Sequence, residues 1–137
     1  MKTLLLSFYL FLFALGCSDQ KSLEENNIGN LVITVPDDNT TLFRGQPAQI
    51  QAQIQLKNTT ELVILLQLRD LDSDYLFSMT MSTIEASDEV DRSIGAGFNI
   101  SNAAPLGNNY RLSLFYKEPE ATLPIGGDSI IVKVQLY

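Results

Sequence analysis

From Asn30 onward, apolar and polar side chains alternate along the chain with a period of two. The clearest run is Ala48-Gln49-Ile50-Gln51-Ala52-Gln53-Ile54-Gln55-Leu56, with its apolar residues on one face and its glutamines on the other. A strand with one buried and one wet face needs that alternation; a helix would scatter the same apolar groups around every side. Leu31 to Val35 is a shorter run, closed by the turn formers Pro36-Asp37-Asp38-Asn39. Glu61 to Arg69 is apolar on both faces through its middle, the pattern of a central strand covered on both sides. Tyr75, Phe77, Met79 and Met81 then alternate with Leu76, Ser78, Thr80 and Ser82, which makes 70–74 a hairpin loop. Phe98-Asn99-Ile100 reads as a short strand behind a segment broken by Gly95 and Gly97. Two further alternating runs, Tyr110 to Lys117 and Ile130 to Leu136, complete the series.

The pattern therefore predicts an all-β body of seven strands over 30–137, with no helix, internal repeat or second domain. Two stacked sheets, each burying one face of its strands, provide a core without disulfides.

The first residues follow a different logic. Met1-Lys2-Thr3 is short and positive, and Leu4 to Leu15 is an apolar run of 12 residues. At helical rise those residues span roughly 18 Å, short of a bilayer core of about 30 Å. Residues 1–16 thus read as a cleaved signal peptide. The stretch Ala14-Leu15-Gly16-Cys17 resembles the lipobox of bacterial lipoproteins. That resemblance implies cleavage before Cys17, diacylglycerol on its thiol and a fatty acid such as palmitate on its new amino group. Several acyl chains hold a protein to a bilayer firmly where one holds it marginally. The polar run from Ser18 to Gly29 reads as a flexible tether, so that 17–29 links anchor and body. By the same resemblance, Ser18 after the cysteine implies the bacterial outer membrane, with the domain facing the periplasm or the cell surface.

A second resemblance bears on the body. Pro105-Leu106-Gly107-Asn108-Asn109-Tyr110-Arg111-Leu112 is similar to the entry of the sixth strand in fibronectin type III and related immunoglobulin-like domains. It implies a seven-stranded immunoglobulin-like β-sandwich in which the Tyr110 hydroxyl returns to nearby backbone.

Composition narrows the chemistry. The 137 residues hold 16 acidic and 9 basic side chains, a net charge of −7, which removal of Lys2 makes one unit more negative. Such a surface repels phosphate backbones, so nucleic acid is not an expected partner. Histidine is absent and Cys17 is the single cysteine. The chain therefore has no imidazole base, no Ser/His or Cys/His pair and no internal disulfide. No enzyme activity and no cofactor are expected.

The remaining candidates are weaker. Asp70, Asp72 and Asp74 are spaced like calcium ligands, but an EF-hand would need glycine and glutamate where Tyr75 and Met81 stand. Turn formation explains them more simply. Glu85, Asp88, Glu89 and Asp91 read as a solvated acidic loop, and Met79 and Met81 as core. Phe43, Phe115 and Tyr137 are the outward-facing aromatics. The expected function is a membrane-anchored lipoprotein with a non-enzymatic binding, adhesion or envelope-assembly role, in contact with a protein partner through its edge strands. The alternative is binding of a small ligand or calcium by the loops at one end of the sandwich.

Overall fold

The computed structural model describes residues 29–137, and Cys17, the signal segment and the tether to residue 28 lie outside the described residues. Eight strands run in chain order: β1 (Gly29–Val35), β2 (Thr41–Phe43), β3 (Pro47–Thr59), β4 (Leu62–Asp70), β5 (Leu76–Ile84), β6 (Ser87–Asn99), β7 (Gly107–Lys117) and β8 (Gly126–Gln135). They form two sheets, one ordered β1-β3-β6 and the other β2-β8-β7-β4-β5. All pairings are antiparallel except that of β2 with β8.

Alternation explains how the layers meet. Ile50, Ala52, Ile54 and Leu56 of β3 are buried, as are Leu62, Ile64, Leu66 and Leu68 of β4 and Leu112 and Leu114 of β7. They join residues of both sheets in one core cluster. This is the division of faces that two sheets sharing an apolar interior require.

The chain changes sheets after β1. The peptide from Val35 to Pro36 is cis, and Asn39 has a φ of 66°, a left-handed conformation that asparagine tolerates better than most residues. Asn39 N–H then donates to Ile131 O, and Lys133 N–H to Thr40 O, seating β2 beside β8.

Two elements differ from the sequence expectation of seven strands. β2 is additional, and only three residues long. β6 starts at Ser87 and runs through the segment expected as an acidic loop, so the loop reading of Glu85, Asp88, Glu89 and Asp91 is corrected for all but Glu85. The cause is β3, whose 13 residues offer a hydrogen-bonding edge along the whole segment. Asp91 stands opposite Gln55 and Glu89 opposite Lys57. Gln53 and Gln55 donate their side-chain amides to the two carboxylate oxygens of Asp91 at 2.8 and 3.2 Å.

The Tyr116 hydroxyl fastens the start of the body, donating to Gly29 O at 3.1 Å. Its ring lies against Gly126, where a Cβ would come within 2.4 Å of the hydroxyl oxygen. Only glycine leaves that space.

Candidate interaction surfaces and loop carboxylates

Tyr110 organises the end of the sandwich formed by the β4–β5 and β6–β7 loops. It is fully buried and donates its hydroxyl to Pro105 O at 2.6 Å, the return to backbone expected from the sequence around it. Burial, reinforced by the negative charge of Asp70 and by Tyr75 and partly offset by Arg44, pushes its pKa up to about 12. Tyr75 packs edge-on against it, with ring centroids 6.3 Å apart. Arg44, from the β2–β3 turn, donates to Ala104 O.

The aspartate loop is held by its own backbone. Asp70 is buried and accepts from Asp72 N–H at 3.1 Å and from the Ser73 hydroxyl at 2.6 Å. Asp72 is exposed and accepts from the Asn109 side chain at 3.2 Å, and Asp74 is exposed. Among the described residues no three acidic or cysteine side chains converge as a metal cage would need. The loop is an Asx-type turn closing a hairpin.

The β-sheet edges offer more. β5 ends the larger sheet and β6 ends the smaller, and a two-residue link joins them, Glu85-Ala86. Both edges therefore flank one side of the sandwich. β5 reads Leu76-Phe77-Ser78-Met79-Thr80-Met81-Ser82-Thr83-Ile84, without a charge, a proline or a glycine. Edge strands are normally blunted by such residues against unwanted pairing. Met81 is the extra residue of a bulge, because Ile64 pairs with Ser82 and Leu65 with Thr80. Inside this flank Phe77, Met79 and Met81 are half-buried against the core, and Phe77 stacks on Phe98 at 6.2 Å.

The outward aromatics separate into two places. Phe43 and Tyr137 meet edge to face, with centroids 5.6 Å apart. Phe115 lies on the outer face of the larger sheet, its ring covering Gly127, where a Cβ would approach the ring to 2.9 Å.

No family model matches the chain, and no curated protein matches it. Among solved structures, it is similar to the alkylpurine DNA glycosylase AlkC of Pseudomonas fluorescens, with 8% identity, a TM-score of 0.48 and coverage of 76% of this chain and 29% of that one. It is also similar to the β-glucosidase of Listeria innocua, with 10% identity, a TM-score of 0.44 and coverage of 77% and 16%. The chain thus spans under a third of the length of either structure.

Proposed function

We propose that this chain is a lipid-anchored protein of the bacterial outer membrane whose immunoglobulin-like sandwich binds a protein partner and performs no catalysis. Cys17, in its lipobox-like setting, is the anchor, and the domain faces the periplasm or the cell surface. The observation that carries the binding role is β5, a nine-residue uncharged edge strand whose inner face carries the half-buried Phe77, Met79 and Met81. An extended partner segment adding to that edge would gain main-chain hydrogen bonds and cover those side chains. The sequence supplies no histidine, which supports the non-catalytic reading.

Two measurements test the proposal. A photo-reactive residue at Thr80 in the full chain is expected to capture a discrete protein in intact cells. Capture lost on introducing Ser78→Lys supports edge pairing; absence of any adduct at Thr80 overturns it. Metabolic labelling with a fatty acid is expected to mark the wild-type chain and not Cys17→Ala. An unlabelled wild type removes the anchor.

A further inference from the structure

The outer face of the larger sheet has a charge opposite to that of the chain as a whole. Its outward positions are Thr41 and Phe43 on β2, Val63, Leu65, Gln67 and Arg69 on β4, and Leu76, Ser78, Thr80 and Thr83 on β5. Arg111, Ser113, Phe115 and Lys117 follow on β7, and Ser129, Ile131, Lys133 and Gln135 on β8. Four cations stand there, and not one carboxylate, in a chain with 16 acidic residues. Of the acids nearest to it, Asp38 sits at the edge of β8, accepting from Ile131 N–H, and the two within these strands turn elsewhere. Asp70 is buried in its loop, and Asp128 accepts from Ile33 N–H and Ser129 N–H.

The arrangement within the face is equally one-sided. Arg69 and Arg111 pair directly across β4 and β7, which sets their Cβ atoms about 5 Å apart. Both are exposed. Like charges placed opposite one another destabilise a sheet. Along the same face lie Val63, Leu65, Phe115 and Ile131, all half-buried, with Leu65 opposite Phe115. A shallow depression of about 410 Å³ opens next to Phe115, walled by Pro124 and Ile125 and bordered by Asp128, whose carboxylate is engaged by Ile33 N–H and Ser129 N–H. The sequence of β4 calls for cover on both faces, yet among the described residues only one face is covered. The outer face of the smaller sheet is different: its glutamines bond to Asp91 and Ser93, so its polar groups satisfy one another.

From this charge complementarity we infer that the outer face of the β2-β8-β7-β4-β5 sheet docks an acidic protein segment whose carboxylates flank apolar side chains. The carboxylates meet Arg69 and Arg111 at one end of β7; Lys117, at the other end about 20 Å away for six residues of strand, already donates to Pro119 O and Ala121 O and adds only its charge. The apolar side chains cover Leu65 and Phe115 between them. A polyanion alone would leave that centre wet, which favours a segment carrying apolar side chains between its carboxylates. The inference rests on the protein-binding role proposed above and assigns it a surface and a partner chemistry.

The test uses the full-length chain and a synthetic peptide in which glutamates alternate with valine and phenylalanine. Saturable binding is expected, weakening with added salt, and reduced about tenfold in Arg69→Ala/Arg111→Ala. Arg92→Ala, an exposed arginine of the other sheet, is expected to leave binding unchanged. The double variant should melt no lower than wild type, because it removes a like-charge pair. Polyglutamate bound as tightly as the mixed peptide overturns the apolar part of the inference. Binding to vesicles of equal parts phosphatidylglycerol and phosphatidylcholine, with none to the peptide, makes the face a membrane surface and overturns it entirely. A partner still captured from Thr80 in cells by the double variant, which no longer binds the peptide, overturns this face as the partner's docking surface. Capture in cells with no wild-type binding to the peptide overturns this inference and leaves the protein-binding role standing.

Discussion

The carboxylate of Asp128, in β8, accepts the backbone N–H of Ile33, in β1 of the other sheet, at 2.9 Å. The two residues are 95 positions apart in sequence. Ile33 lies where β1 slips register against β3, and the carboxylate supplies an acceptor across the sandwich. Asp128→Ala removes it and is expected to cost about 1–2 kcal/mol. Asp128→Asn retains an oxygen acceptor and should lose less. Urea unfolding should show a lower midpoint for the alanine variant at an unchanged slope.

Tyr110 gives the fold a dependence on high pH. Its folded pKa is raised to about 12, against about 10 in the unfolded chain. The unfolded state therefore releases this proton first as pH rises. The stabilisation is fully present below pH 10 and is lost between 10 and 12, by on the order of 2–3 kcal/mol. Burial raises Tyr116 in the same direction. Tyr110→Phe should flatten the decline in unfolding free energy over that range. At neutral pH the same variant should be weaker by about 1 kcal/mol, because Pro105 O loses its donor.

Strand existence was legible wherever side chains could record burial. β3, β4, β7 and β8 announce themselves because, along most of their length, every second residue is Ala, Ile, Leu, Val or Tyr and lies in or against the core. Only the end of β6, at Phe98 and Asn99, was readable; its earlier part was hidden because Gly95 and Gly97 carry no side chain to show a face. Within the same strand Arg92 pairs with Ile54 yet stays exposed at the open flank. A partner strand contributes that information, not the local sequence. β2 is too short for any period, and its place is set by parallel pairing with β8. The acid-free face was equally invisible, since Arg69 and Arg111 become neighbours only through the register of β4 and β7. The Tyr110 hydroxyl bond was readable because donor and acceptor lie five residues apart.

The aspartate loop separates a turn from a cation site. Asp70 holds two donors of its own loop, so Asp70→Ala should lower the melting temperature whether or not calcium is present. Added calcium should leave the wild-type melting temperature unchanged and release no heat in calorimetry. A calcium-dependent rise that vanishes in Asp72→Ala would instead establish a loop site.

Gly126 and Tyr116 form a tight steric pair in the larger sheet that a single methyl can probe. A Cβ at position 126 would stand 2.4 Å from the tyrosine oxygen and 2.6 Å from the ring carbon bearing it. The ring is buried and its hydroxyl is engaged by Gly29 O, so it has no easy retreat. Gly126→Ala is expected to destabilise by about 1–3 kcal/mol through overpacking. Tyr116→Phe should cost about 1 kcal/mol, the loss of one hydrogen bond. Combining them removes the nearest collision but leaves the ring carbon in place. The double variant should therefore be less stable than either single variant, yet better than the sum of their losses predicts. Full additivity would show that the methyl group and the hydroxyl never compete for the same space.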